Sequence, residues 1–177
     1  MTIQLLINEE AVKSLFPELT NVAGEYLTGA MFEAQEIRLK SILGSRLLRK
    51  LKTDEAAGAL TGKYAELKDE LQVFLAAQTA TCLIPRIALK ISNAGVMQAT
   101  DTNLQPATDA KYDSTIEDYQ ARADYLCLEL QRYLLANQGS FPELGSQAGE
   151  IKANLLSMAS CGINLGLARS PMDGRIL

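Results

Sequence analysis

The chain alternates between stretches of helical apolar spacing and short polar or glycine-containing breaks, and this pattern predicts its elements in turn. Asn8 followed by Glu9 and Glu10 reads as an N-cap with acidic residues in the first turn. The short helix it opens should stop at Phe16, because Pro17 cannot continue it. Before it, Thr2 to Ile7 is β-prone; after it, the signals from Thr20 to Gly29 are mixed. A second helix is expected over Ala30 to Leu51 with Thr28 as its cap. Its apolar stripe includes Met31, Phe32, Leu39, Ile42, Leu43, Leu47 and Leu51. Gly44 lies within that stripe at a cost of about 1 kcal/mol relative to alanine, which points either to close packing or to a bend.

Thr53 to Gly62 contains two glycines and several small residues and reads as a loop. A central helix should follow from near Lys63. Tyr64, Leu67, Leu71, Phe74, Leu75 and Cys82 continue one face, and later turns are apolar on more sides, as expected of the innermost helix. Pro85 predicts a kink or a break. The apolar stretch from Val73 to Ile91 also carries Gln78, Thr79, Thr81, Pro85, Arg86 and Lys90. A charge at mid-bilayer costs about 2.5–3.5 kcal/mol on insertion scales, so the stretch reads as core, not as a membrane span.

The polar segment from Ser92 to Asp109 is long enough to be a surface excursion. The next helix, about Ala110 to Asn137, places Tyr112, Ile116, Tyr119, Ala123, Leu126, Leu130 and Tyr133 at alternating steps of four and three. That is the spacing of a helix–helix seam, and antiparallel packing on the central helix is expected. Asn137 and Gly139 stop it, Phe141-Pro142 opens an irregular segment, and a short helix is expected over Ala148 to Met158. Ile163, Leu165 and Leu167 then alternate with small residues, which favours a strand or extended arm, and the two termini could pair with each other or with a neighbouring subunit. The fold class expected is all-α: a bundle of about four to five helices with a long interhelical loop and extended, β-paired termini. A single domain is expected over 1–177, with an N-terminal lead (1–29), a helical core (30–144) and a C-terminal helix and arm (145–177).

Composition changes this picture little. The 177 residues are 47% hydrophobic and 21% charged, enough apolar surface for a packed core. A net charge of −4 gives no general attraction to nucleic acid or anionic membrane, so any such contact must be local. Cys82, Cys127 and Cys161 form neither a CxxC pair nor a disulfide framework and read as buried reduced thiols. The N-terminus has no basic segment followed by a long apolar stretch, so cytosolic synthesis is expected.

The chemistry is more restrictive. The chain has no histidine, which removes the commonest general acid/base and the commonest transition-metal ligand. No P-loop and no GxGxxG motif is present. Glu66, Asp69 and Glu70 lie beside Lys63 and Lys68 and read as a solvated helix face; Asp101, Asp109 and Asp113 do not have the spacing of a calcium loop. No catalytic residue, metal site, cofactor or small-molecule substrate is therefore expected. Tyr112, Tyr119, Tyr125 and Tyr133 suit core packing better than base stacking, because three of them fall on the seam. The strongest charge feature is the run Arg38, Lys40, Arg46, Arg49, Lys50 and Lys52, without an intervening acid. It reads as a basic helix end complementing the helix dipole, or as a patch for duplex DNA or an acidic partner.

Several phrases in order resemble a family of small helical head-to-tail connector (adaptor) proteins of tailed phages and prophages of Bacteroides-type bacteria. They are Ala34-Gln35, then Ile42-Leu43-Gly44 and Leu47, the helix opening at Tyr64, Lys90-Ile91-Ser92-Asn93-Ala94-Gly95-Val96, and Tyr133-Leu134 through Asn137 to Phe141-Pro142-Glu143, with a weaker echo in Gly162-Ile163-Asn164-Leu165-Gly166. None is a catalytic signature. The resemblance implies a structural, non-enzymatic subunit of a ring beneath the portal, contacting copies of itself, the portal and tail proteins, and in passing duplex DNA, but no membrane. It implies the bacterial cytoplasm during assembly and the virion neck afterwards. The N-terminal lead and the ending depart from the usual pattern. In this reading Ile163, Leu165 and Leu167 form a subunit-contact arm, and the loop from Ser92 to Asp109 also reaches neighbours. The competing expectation is a helical protein-interaction or DNA-binding regulatory module using residues 38–52, although no helix-turn-helix is placed to support it.

Overall fold

Residues 63–88 form the helix on which the others are arranged, because its middle is apolar on every side. Phe74, Leu75, Ala76, Ala77, Ala80 and Leu83 are all buried, as are Gln78 and Thr79 between them. A helix buried all round must be covered by several partners. The computed structural model describes residues 4–92, 95–98 and 109–160. Its elements are α1 (Glu9–Leu15), a 3-10 turn (Pro17–Leu19), α2 (Gly24–Glu33), a π-helical segment (Ala34–Leu39), α3 (Lys40–Ala56), α4 (Lys63–Ala88), β1 (Leu89–Ser92), β2 (Gly95–Gln98), α5 (Asp109–Ala136), two further 3-10 turns (Gln138–Ser140, Pro142–Leu144) and α6 (Gln147–Ser160). The fold is an all-α bundle carrying one short antiparallel hairpin, in which Leu89 faces Gln98 and Ser92 faces Gly95.

Helix α4 packs most extensively against α5 and α2, and also against α1 and the π segment; α6 packs on α5 and α3. The expected antiparallel pairing of α4 and α5 is present. The Thr81 hydroxyl lies 3.4 Å from the Tyr119 carbonyl, and at the other end the Tyr133 hydroxyl lies 3.4 Å from Glu66 Oε2. From Tyr119 to Tyr133 the seam is made as its spacing predicts: Ala123 and Leu130 are buried, and Tyr119, Leu126 and Tyr133 pack against the core; Ile116 is half-buried, and the Tyr112 side chain lies outside the described residues.

The first helix matches expectation, with Asn8 Oδ1 accepting from the Ala11 N–H at 2.8 Å. The second does not. It begins at Gly24, and Thr28 is an interior residue whose hydroxyl donates to the Gly24 carbonyl, not a cap. Gly24, Thr28 and Gly29 depress the local propensity, but Leu27, Ala30 and Met31 are buried, and this packing decides the conformation. The helix before Gly44 includes a π segment, closed by the Lys40 N–H bonding the Gln35 carbonyl. Gly44 then breaks the run with φ 74° and ψ 164°, a region essentially reserved for glycine. Both expectations for this residue hold, since a Cβ here would also lie 3.0 Å from Gln147 Cγ of α6. The loop expected from Thr53 is shorter, because α3 continues to Ala56. At Pro85 no break occurs: α4 runs on to Ala88, although proline there removes the hydrogen bond to the carbonyl one turn earlier. The segment expected as an excursion starts as the β1–β2 hairpin, and α6 extends slightly beyond its predicted bounds.

No strand forms over residues 4–7. That segment lies on the bundle because Gln35, a fully buried amide, substitutes for a neighbouring strand. Gln35 Oε1 accepts from the Leu6 N–H at 2.8 Å and its Nε2 donates to the Gln4 carbonyl at 2.9 Å. The Gln4 side chain in turn donates to the Lys52 carbonyl, while Leu6 and Ile7 are buried. The C-terminal half of the expected pairing, with Ile163, Leu165 and Leu167, lies outside the described residues.

Gln35→Ala leaves the buried Leu6 N–H unpaired, at about 1–3 kcal/mol, and removes the partner of the part-buried Gln4 carbonyl. We expect lower thermal stability and faster hydrogen exchange at the Leu6 amide; unchanged protection there would contradict the clamp.

Candidate interaction site

The basic run does not form one patch. Arg38 belongs to the π segment, Lys40 opens α3, and the backbone break at Gly44 separates both from Arg46 and Arg49. These four side chains are exposed. The other two are engaged within the molecule. Lys50 pairs with Asp54 at 2.9 Å and lies 4.8 Å from the Tyr64 ring centroid, and its pKa is raised chiefly by the bond to Asp54. Lys52 pairs with Glu36, holding that carboxyl below its usual range. The run straddles a helix end at the Gly44 break, and the helix after the break continues past it to Ala56 with no basic residue in its last turn. The helix dipole therefore accounts for Lys40, in the last turn before the Gly44 break, and not for Arg46 and Arg49 in the turns that follow it. Four cations of the run remain accessible to a partner.

Apolar periodicity does not reveal the tetrapeptide Phe-Pro-Glu-Leu, which occurs at residues 16–19 and again at 141–144. Both copies end a helical stretch in the same way. Proline disfavours helical geometry at the residue before it, so each phenylalanine turns outward, Phe16 at φ −131°, ψ 78° and Phe141 at φ −123°, ψ 72°. Each Pro-Glu-Leu then forms a 3-10 turn closed by the leucine N–H on the phenylalanine carbonyl, at 2.9 and 3.0 Å. Both phenylalanines and both leucines are buried.

Each copy is also tied to a tyrosine of the central pair. The Tyr119 hydroxyl donates to Glu18, and its ring centroid lies 5.9 Å from that of Phe16. The Tyr64 hydroxyl donates to Glu143 at 2.7 Å, with its ring edge-on to Phe141 at 5.4 Å. A cation lies over each assembly, Arg122 at Phe16 and Lys50 at Tyr64. Because Tyr64 opens α4 and Tyr119 lies beside Thr81, the two latches fasten opposite ends of the α4–α5 pair. Burial, then the carboxylate bond, raises the pKa of Tyr64 and of Tyr119 to about 12. The bond from Tyr119 lowers that of Glu18. The repeated tetrapeptide was the sequence signal for these ties.

The remaining candidates fall into place as structural groups. Asp69 and Glu70 are exposed, Glu66 pairs with Lys63 at 2.6 Å, and Lys68 pairs with Glu55 at 2.5 Å, as a solvated face would. Cys82 and Cys127 are free and half-buried, and burial raises both thiols above their usual range. Among the described residues no group of His, Cys, Asp or Glu is arranged to hold a metal ion, and no helix is long and apolar enough to cross a membrane. Large apolar side chains are nevertheless left in solvent: Leu15 on α1, Tyr26, Phe32 and Ile37 on the α2–π stretch, Val73 on α4, and Tyr125 and Leu156 on α5 and α6.

Residues 39–149 match a family of unknown function, DUF6712, and since this is more than half of the chain, the protein belongs to that family. No curated protein and no solved structure matches it.

Both latch tyrosines titrate near 10 when unfolded and near 12 when folded. Their stabilisation is therefore complete below pH 10 and is lost as pH rises from 10 to 12. The melting temperature should fall across that window, and Tyr64→Phe or Tyr119→Phe should each flatten the fall; slopes identical to wild type would contradict the assignment. If the cations meet duplex DNA, reversing Lys40, Arg46 and Arg49 to glutamate should lower retention on it at low salt. The log–log salt slope should shrink by about 0.9 for each phosphate that is no longer neutralised. Lys50→Glu alone should change little, and no effect of the triple reversal would dismiss DNA as a partner.

Proposed function

We propose that this protein is a structural, non-enzymatic subunit of a phage or prophage head–tail connector ring, an adaptor joining portal to tail. The observation that carries the reading is that large apolar side chains stay exposed on separate elements that pack on or around α4. Phe32 and Ile37 lie on the stretch where α2 meets the π segment, with Ile37 59% exposed. Tyr125 and Leu156, 61% and 56% exposed, lie on α5 and α6. Helices α2 and α5 both pack on α4 and are not substantially packed on each other. Joining one of these exposed pairs to the other pair of a neighbouring copy gives a heterologous interface, which closes into a ring when the rotation per subunit permits.

The resemblance from Ala30 to Leu144 supplies the biological setting: cytoplasmic assembly followed by residence in the virion neck, with portal and tail proteins as partners. The four exposed cations, Arg38, Lys40, Arg46 and Arg49, suit brief contact with DNA phosphates in such a channel. The arm carrying Ile163, Leu165 and Leu167 remains a candidate for contact with a neighbour.

Complementation of blocked variants tests the reading. Ile37→Glu closes one surface and Tyr125→Glu with Leu156→Glu closes the other. We expect wild-type oligomers by light scattering and rings by electron microscopy, each variant alone to be monomeric, and an equimolar mixture to stop at dimers. Self-pairing of either variant, or a mixture that remains monomeric, would overturn the head-to-tail arrangement.

A further inference from the structure

Over α4, where α5 and α6 meet the start of α3, runs an open cleft of about 300 Å³ that the latches do not use. Its floor is apolar, formed by Phe74, Ile42 and Ile151, together with Gln78, which is only 5% exposed. Its walls are rich in side-chain amides: Gln120 and Gln131 along α5, Gln147 and Asn154 along α6. Arg38 stands at one margin, and Asp124 and Glu150 supply carboxylates. We propose that this cleft binds an extended segment of another polypeptide, held mainly through its backbone.

Three observations lead there. First, an amide side chain offers one acceptor and two donors, so it can satisfy both polar groups of a peptide backbone whatever the peptide's sequence. The protein already uses this device: Gln35 takes the Leu6 N–H and gives to the Gln4 carbonyl, holding an extended segment on the same bundle. Second, each of the two α5 amides keeps hydrogen-bonding capacity for a ligand. Gln131 Nε2 reaches the Cys127 sulfur at 3.7 Å, a weak acceptor that a backbone carbonyl would displace, and Gln120 donates to exposed Asp124 at 2.9 Å, a bond that leaves its carbonyl free to accept. Third, the lining follows two parallel strips. The α5 strip from Gln120 to Gln131 covers about 16 Å at 1.5 Å per residue, the length of about five residues of extended chain at 3.3 Å each. Two carboxylates against one guanidinium favour a segment with a basic side chain. This inference is independent of the ring assembly and holds equally for a monomer.

The test uses the full chain and a library of random hexapeptides. Enriched peptides, measured singly by fluorescence anisotropy, should bind wild type and lose at least about tenfold in affinity with Gln120→Ala/Gln131→Ala. They should lose as much with Asn154→Trp, which fills the cleft from an exposed position, each variant being checked for an unchanged circular dichroism spectrum. N-methylation of alternate peptide nitrogens should abolish binding, whereas alanine replacement of most peptide side chains should not. No enrichment over bare beads would overturn the proposal. So would binding indifferent to both cleft variants, or binding that survives N-methylation.

Discussion

Everything in this molecule depends on covering the middle of α4. From Phe74 to Ala80 every residue is buried, so no single partner helix is sufficient, and α1, α2, the π segment and α5 are all recruited to the same helix. Truncating a buried leucine at such a position typically costs about 2–5 kcal/mol, a large share of the stability of a domain this size. The small residues Ala76, Ala77 and Ala80 let neighbouring helices approach closely, while Phe74, Leu75 and Leu83 fill the spaces between them.

What the central helix does not determine is where the peripheral segments end, and that falls to a few polar or backbone devices. The two Phe-Pro-Glu-Leu latches close the chain onto either end of the α4–α5 pair, each combining a buried ring, a 3-10 turn and a tyrosine–carboxylate bond. Gln35 fixes the segment before α1, and Gly44 redirects α3 in a conformation that a side chain would resist, close against Gln147. Ile37 of the π segment and Tyr125 of α5 are left exposed on elements that both pack on α4.

Much of the architecture was legible in the amino-acid order because its strongest determinants are periodic. The seam from Tyr119 to Tyr133, the core face of α4 and the cap at Asn8 all follow from spacing or a local side-chain bond. The start of α2 was not legible, because Gly24, Thr28 and Gly29 mask a helix that Leu27 and Ala30 secure only through tertiary packing. Nor was the docking of residues 4–7, since a β-prone segment can be satisfied by one buried glutamine as well as by a strand. The basic run was visible as composition, but its division was not: whether Lys50 and Lys52 are available depends on Asp54, Tyr64 and Glu36, and on α3 continuing to Ala56. The latches were visible in principle as a repeated tetrapeptide, but periodicity does not weigh identity between distant turns.

The central functional claim is that two different faces of the same chain meet in the assembly. Disulfide cross-linking reads this directly: single variants Ile37→Cys and Tyr125→Cys, in a background with Cys82, Cys127 and Cys161 replaced by alanine or serine, are mixed and oxidised under conditions where wild type assembles. The account predicts a covalent dimer joining position 37 of one copy to position 125 of another, and no such product from either variant alone. Efficient 37-to-37 or 125-to-125 dimers, with none between the two positions, would contradict it.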